Sequence, residues 1–301
     1  MVNADGGRAP SVTVLMPAYN AARYIVEAAE SILSQGVDDL ELLVIDDGST
    51  DAGMAELATL ADPRIRVISQ PNAGLVAALN RGLSEATGHY IARMDADDIC
   101  PPGRLSAQLQ WFAGHPDGIA CGTDYELFGA MSVRVRMPRT DRACRDRLLL
   151  AGCLCGASVM MRRDVVVREG MRFDADFTHA EDYEFYARLS CHGAIGNVPM
   201  IGYLYRIHPA QVSTRHSAQQ RAAHLRIALA HAERTGARPV PEHVIRDLLW
   251  PGSTGVLRTF GVSTRAAVRC VARRPSRETV TFCGRRVVEA TLAARRAGTA
   301  S

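Results

Sequence analysis

From Val12 to Asp98 the chain alternates unbroken apolar runs with longer stretches whose apolar residues recur at helical spacing. Val12–Met16, Leu40–Ile45, Arg64–Ser69 and Tyr90–Ala92 each read as a strand, with Leu40–Ile45 and Tyr90–Ala92 as buried ones. Between them, Ala21–Ser34 brings Tyr24, Ala28, Ile32 and Leu33 to one helical face, and Met54–Leu60 predicts a short helix. Leu75–Ala86 places Leu75, Leu79 and Leu83 at i, i+4 and i+8, opened by Asn72-Ala73-Gly74 and stopped by Gly88. Strand and helix alternating at these spacings predict a parallel, doubly wound sheet.

Beyond a helix at Leu105–Ala113 the pattern changes. Strands are expected at Ile119–Cys121, Leu127–Met137, Ser158–Met161, Ile195–Val198 and Ile201–Tyr205, with helices at Cys144–Leu150 and His179–Cys191. Tyr183, Tyr186 and Leu189 face inward on the latter, and Tyr205 and Trp111 are also expected in the core. From Ser217 onward the reading is helical, broken at Pro239, Pro241 and Pro251. The expected organisation is a disordered start over 1–10, an α/β domain over 11–216 and a helical, Arg-rich extension over 217–301.

The carboxyl ends of the predicted strands carry the chemistry. A doubly wound sheet binds its ligand along that edge. Pro17-Ala18-Tyr19-Asn20, Asp46-Asp47 and Asp95-Ala96-Asp97-Asp98 all fall there. Three carboxylates within four positions repel one another unless a cation or donor-rich ligand sits among them. Mg²⁺ and Mn²⁺ suit such oxygen ligands, with phosphate and water completing the shell.

Bulk properties exclude several classes. A net charge of +3 does not advertise nucleic-acid binding, and every basic side chain is arginine, because the chain has no lysine. Phosphate contacts must then come from Arg, backbone amides or metal. The eight cysteines lack zinc-site spacing and predict reduced thiols in a cytoplasmic protein. Neither a signal peptide nor a membrane-spanning run is expected. No G-x-G-x-x-G, G-x-x-x-x-G-K-[ST] or G-x-S-x-G is present, which disfavours dinucleotide oxidoreductases, P-loop enzymes and nucleophile-elbow hydrolases. A sugar nucleotidyltransferase would need an early glycine-rich basic loop. The Arg- and Ala-rich composition suggests a GC-rich bacterial genome.

Six blocks then stand together: VTVLMPAYNAARYI (12–25), LLVIDDGSTD (42–51), PNAGLVAALNRGLSEATGHYIARMDADDI (71–99), GASVMMRRDV (156–165), HAEDYEFYARL (179–189) and YRIHPAQVS (205–213). In this order the chain resembles the family 2 glycosyltransferases, inverting GT-A-fold enzymes that use nucleotide-diphosphate sugars. The resemblance implies a Rossmann-like, mostly parallel sheet with a mixed second half. It implies that Pro17, Ala18, Tyr19 and Asn20 line the nucleotide base, that Asp47 bonds the base with Asp46 beside it, and that Asn72 and Gly74 belong to the donor site. Asp97 would bind Mn²⁺ or Mg²⁺ directly, with Asp95 nearer the ribose or sugar and also a candidate ligand; Ala96 lies between them. Asp182 would be the catalytic base with Glu181 orienting, and His208 a further ligand for metal or diphosphate. Where the family often carries Arg, this chain has Leu79, so Arg81 or Arg93 is expected at the phosphates.

A base on the acceptor hydroxyl and a metal on the leaving diphosphate suffice for single displacement with inversion. The expected partners are a nucleotide-sugar donor, a UDP-sugar first among them, and a glycan or lipid-linked acceptor of envelope or exopolysaccharide synthesis. A non-catalytic nucleotide-sugar-binding or scaffold subunit is the alternative. From Arg258 to Arg296 ten arginines face two glutamates, a local formal charge of 10 − 2 = +8. This segment is expected to form partly amphipathic helices that can lie on an anionic leaflet, placing the protein at the inner face of the membrane. No aromatic interleaving supports nucleic acid.

Overall fold

The computed structural model describes residues 10–129, 132–207, 217–251 and 256–298. The expected disordered start therefore lies outside the described residues, Pro10 excepted.

Strand β1 (Val12–Ala18) is buried along its whole length, as its unbroken apolar run requires. Helix α1 (Ile25–Leu33), strand β2 (Leu40–Asp46), helix α2 (Gly53–Ala58), strand β3 (Ile65–Ser69), helix α3 (Leu75–Glu85) and strand β4 (Tyr90–Arg93) follow in the predicted alternation. β2 and β4 flank β1 and β3 extends the sheet beyond β2, all parallel. Alternate residues then feed two cores: Val12, Val14 and Met16 pack with Ala28 and Ile32 of α1, whereas Leu15 packs with Leu79 and Leu83 of α3.

The second half adds helix α4 (Arg104–Gly114), strands β5 (Gly118–Gly129) and β6 (Val133–Val135), helix α5 (Asp141–Leu148), strand β7 (Met160–Arg162), helices α6 (Arg163–Arg168) and α7 (Glu181–Leu189), and strand β8 (Ala194–Ile207). The sheet runs β3-β2-β1-β4-β7-β5-β6, with β8 parallel to β5 and β7 antiparallel to both its neighbours. Helices α8 (Ser217–Thr235), α9 (Glu242–Leu249), α10 (Val256–Arg273) and α11 (Arg277–Gly298) close the chain. Leu225, Val244, Leu248, Cys270, Phe282 and others of these helices share an apolar cluster with Leu150, while Ile227 of α8 reaches the main core.

Several boundaries differ from the sequence reading. Ala21–Tyr24 is turn, because the Ala22 N–H donates to Asp51 Oδ2 (2.9 Å) and Asn20 takes a positive φ of 50°, delaying the helix to Ile25. Leu75 is 45 % exposed, since α3 starts at the carboxyl edge before it reaches the core. The strand expected at Leu127–Met137 is instead the end of β5 and the short β6, paired as Tyr125↔Val135. The two strands expected at 195–205 are one, carried past the irregular pairing near Asp124 by register shifts. Tyr183 and Tyr186 are buried as expected, whereas Trp111 and Tyr205 are partly exposed and pack against the core rim.

Candidate active site

The carboxyl ends of β1 and β2 lie side by side, with Ala18 opposite Asp46. The Asp47 N–H donates to the Ala18 carbonyl (2.9 Å), so the chain leaving β2 is tied to the chain leaving β1. Asp46 Oδ1 accepts from the Ser49 N–H (2.9 Å), and Asn20 Oδ1 accepts from the Thr50 N–H (2.8 Å). Asp47 is almost fully buried, and Oδ1 accepts from Gln70 Nε2 (2.7 Å) and the Ala73 N–H (3.0 Å). Its Oδ2 accepts from the Gly74 N–H at 2.8 Å. A carboxylate has about four lone-pair positions, so this staple leaves about one for a ligand. Gly48 has φ +75°, and a Cβ there would stand 2.7 Å from the Asn72 nitrogen, so the 70–74 loop closes onto a glycine. Pro17 and Ala18 end the buried strand, while Tyr19 stands 54 % exposed at the mouth of this corner.

β4 delivers the acidic loop. Arg93 Nη2 donates to Asp95 Oδ1 at 2.5 Å, and the Met94 N–H donates to the Leu15 carbonyl at 3.1 Å. The far end of β8 holds the same loop. Tyr203 Oη donates to Asp98 Oδ2 (2.6 Å) and accepts from the Asp95 N–H (3.3 Å), and the Arg206 N–H donates to Asp98 Oδ1 (2.7 Å). Arg206 Nε reaches the Asp97 carbonyl (2.8 Å), and its Nη2 pairs with Glu27 (2.6 Å). Ala96 is buried beneath the turn. Burial raises the Asp95 pKa, with Asp97 and Asp182 adding to it against the pull of Arg93. Burial, then Asp95 and Asp97, pushes Asp98 up to about 8. Burial and the crowding of carboxylates both disfavour the charged forms here, and a cation among these oxygens would relieve that crowding.

Asp182 and Glu181 open α7 and enter this cluster. Asp182 Oδ1 accepts from the Tyr183 N–H (2.6 Å), and burial raises its pKa, opposed by Arg93. Glu181 is pushed up to about 7 by burial and then by Asp182. Two buried polar atoms of this cluster, Glu181 Oε2 and Arg93 Nε, have no partner among the described residues. Such orphans are rare in native interiors, and a donor and an acceptor left open together leave room for ligand groups or water. Opposite Asp182 the chain is glycine: a Cβ on Gly156 would stand 2.3 Å from Asp182 Oδ2. Tyr186 Oη donates to the Gly156 carbonyl at 2.9 Å, fixing that approach. The fully buried Arg104 joins the two segments, Nη2 donating to the Arg93 carbonyl (2.7 Å) and the Ala157 carbonyl (3.4 Å).

The fold therefore brings Asp95, Asp97, Arg93, Glu181 and Asp182 together, although the last two lie more than eighty positions further along the chain. Arg81 instead pairs with Glu85 on the outer face of α3 (2.9 Å), which leaves Arg93 as the arginine inside the cluster. His208 lies outside the described residues. Asp98 entered the sequence reading only as the third carboxylate of the acidic run, and Tyr203, Arg206 and Gly156 had no role in it. The third aspartate was a visible signal for Asp98, but nothing in the sequence marks Tyr203, 105 positions away from it. Among the described residues no cluster of three or more His, Cys, Asp or Glu forms a ready metal cage. Asp95 and Asp97 nevertheless fit Mg²⁺ or Mn²⁺, which take one or two carboxylates and complete the shell with substrate phosphates and water.

Comparison with known proteins follows the same outline. The model of the family "Glycosyl transferase family 2" matches residues 13–168. An uncharacterized glycosyltransferase of Haemophilus influenzae is 31 % identical over 225 residues, covering 70 % of each chain. The Succinoglycan biosynthesis protein ExoO of Rhizobium meliloti is 31 % identical over 68 % of this chain and 63 % of its own. Hyaluronan synthase of Pasteurella multocida is 29 % identical over 76 % of this chain, which spans only 24 % of that protein. Among solved structures, S. aureus TarS 1–349 in complex with UDP-GlcNAc superposes with a TM-score of 0.67 at 15 % identity, covering 96 % of this chain and 91 % of that one. The mannosyltransferase PcManGT of Pyrobaculum calidifontis, in complex with GDP-Man and Mn²⁺, gives 0.59 at 18 % identity, with 95 % and 87 % covered.

Proposed function

Because the chain belongs to glycosyl transferase family 2, and is thus a GT-A-fold glycosyltransferase, we propose that it transfers a sugar from a nucleoside-diphosphate donor to a hydroxyl acceptor with inversion. The observation that carries this reading is the cluster of Arg93, Asp95, Asp97 and the Glu181–Asp182 pair at the carboxyl edge of the sheet. In it, the base sits in the corner lined by Ala18, Tyr19, Asn20 and the Asp47 staple, and Asp95 faces the ribose and sugar. Asp97 and Asp95 would hold a divalent cation, which would offset the charge of the departing diphosphate as a Lewis acid.

The acceptor oxygen forms the new bond to the anomeric carbon as the bond to the diphosphate breaks, and Asp182 takes the hydroxyl proton. Such a base is worth about 10²–10⁴-fold in rate. Arg93 keeps the crowded carboxylates together and offers its free Nε toward the donor. Relatives named for hyaluronan, chondroitin and succinoglycan support a growing polysaccharide or lipid-linked glycan as acceptor, and a UDP-sugar as the first donor to try. The eight free cysteines support a reducing, cytoplasmic location.

Thermal shift with a panel of nucleotide sugars, with and without Mn²⁺ or Mg²⁺, tests this directly. A cognate donor at 100 times its dissociation constant adds about 2.7 kcal/mol of stability. Asp97→Asn is expected to abolish the metal-dependent part of the shift. Asp182→Asn is expected to keep the shift and lose transfer by at least about a hundredfold. Normal turnover in either variant would overturn its assignment.

A further inference from the structure

Helices α10 and α11 are joined by three residues, Arg274–Ser276, and fold back on each other as an antiparallel hairpin. Its amphipathicity is inside out. The residues buried between and beneath the helices are mostly small or polar: Ser263, Ala266 and Cys270 of α10, Thr279 and Cys283 of α11, with Phe282 the large exception. The Ser263 hydroxyl is buried without any hydrogen-bond partner among the described residues. Val271 packs half-buried against that inner cluster, but most of the large apolar side chains lie on the outer surface instead. Leu257 is 88 % exposed, Val268 62 %, Val288 58 % and Val280 53 %, with Phe260 and Leu292 at 49 % each. These are six of the twelve exposed large apolar residues described in the whole chain, on two of its helices. Leu257, Phe260, Thr264 and Val268 follow at i, i+3, i+7 and i+11, and Val280, Gly284, Val288 and Leu292 at i, i+4, i+8 and i+12. Each set is one continuous stripe. A hairpin serving only to cover the core would put these side chains inward.

Charge identifies what the stripe faces. Arg258, Arg265 and Arg269 are exposed along one flank of the α10 stripe, and Arg277 and Arg295 are exposed near the two ends of α11. None of the five pairs with an acidic side chain among the described residues, because the acids of this segment are already used. Glu278 turns inward to Arg147, and Glu289 pairs with Arg286 (2.6 Å). Not every arginine expected at this surface is there: Arg274 pairs with Asp146, and Arg285 and Arg286 donate to the carbonyls of Arg136 and Leu249. The face that remains is apolar in the middle and cationic at its rim. Two copies packed through it would bring like charges together.

We propose that the outer face of the α10–α11 hairpin docks on an anionic lipid bilayer, its apolar stripe in the headgroup boundary and its arginines on the phosphates. No helix of the described residues is long and apolar enough to cross a membrane, so the contact is interfacial. The inference rests on the hairpin alone and holds whatever sugar or acceptor the site takes.

The test is co-sedimentation of the full chain with vesicles of phosphatidylcholine alone and of phosphatidylcholine mixed with phosphatidylglycerol, at low and high salt. Binding is expected only to the mixed vesicles and is expected to weaken with salt. Arg258→Gln, Arg265→Gln and Arg269→Gln together should weaken it by about a hundredfold, at about fivefold per arginine. Leu257→Ser, Val268→Ser and Val288→Ser together should weaken it by about tenfold or more. All six side chains are exposed, so both variants should keep the wild-type melting temperature. Equal binding to neutral and anionic vesicles, or an arginine variant within twofold of wild type, would overturn the proposal. So would concentration-dependent dimerisation that the serine variant abolishes without any vesicle binding, which would assign the face to a second copy. None of these readouts needs transfer activity, so this proposal can fail while the enzymatic reading stands.

Discussion

Replacing Gly156 with alanine should damage the chemical step while sparing the donor. The added methyl would stand 2.3 Å from Asp182 Oδ2, about 1 Å short of ordinary contact, which begins at 3.4 Å. Rotating the carboxylate relieves that oxygen but not the second clash, 2.9 Å to Asp182 Cβ, which is fixed to the backbone of α7. Either the start of α7 or the 155–158 turn has to move, and the Tyr186–Gly156 hydrogen bond resists the latter. Misplacing a reacting group by about 1 Å costs on the order of 10²-fold, so kcat should fall about a hundredfold. Overpacking should lower stability by about 1–3 kcal/mol. The Asp47 corner is held by Gln70, Ala73 and Gly74 and not by these groups, so donor affinity should stay within a few-fold. The assay is steady-state nucleotide release with donor affinity measured separately, run as a double-mutant cycle with Asp182→Asn. If Gly156 acts through Asp182, adding Gly156→Ala to that variant should cost almost nothing, a coupling of about 2.7 kcal/mol. Additive losses, or a single variant within threefold of wild-type kcat, would refute the reasoning.

Tyr203→Phe removes the hydroxyl between Asp98 and the Asp95 N–H. It should lower stability by about 1–3 kcal/mol and weaken metal-dependent donor binding, read by thermal shift; an unchanged metal requirement would release Tyr203 from any part in holding the acidic loop. A pH prediction concerns the helical extension. Burial depresses the pKa of His224 and of His231 from 6.5 to about 4 in the folded protein. The unfolded chain therefore binds protons that the folded one refuses. This contribution to stability is full above about pH 6.5 and is lost as the pH falls toward 4. Between pH 7 and 5 the loss should be about 2 kcal/mol for each histidine. Glutamine at both positions should flatten the urea-melt stability profile over that range, and an identical slope in wild type and variant would contradict the assignment.

The pattern of apolar runs was enough to give the parallel half of the sheet, because strands buried on both faces must be continuously apolar and their crossover helices must be amphipathic. β1, β2, β4 and the three helices among the first four strands are legible for that reason, and so is the edge where Asp47, Asp95 and Asp97 collect; β3, half-buried at the margin of the sheet and carrying Arg66, is legible from its place in the alternation. Helix starts were less legible: Asp51, far along the chain, decides that Ala21–Tyr24 is turn. Tertiary structure alone decided which groups act together. Tyr203 and Arg206 reach back across 105 and 108 positions to hold Asp98, and Gly156 makes the space in which Asp182 lies. The sequence offered Arg81 and Arg93 equally for the phosphates, and only packing turned one outward to Glu85 and sealed the other among carboxylates. It likewise displayed ten arginines at the C-terminal end, but their partners are long-range, so which arginines stay free for a surface was set by Asp146 and by the inward turn of Glu278 to Arg147. Local periodicity records whether a side chain is inside or outside an element. Which distant side chain meets it there is fixed only when the elements pack.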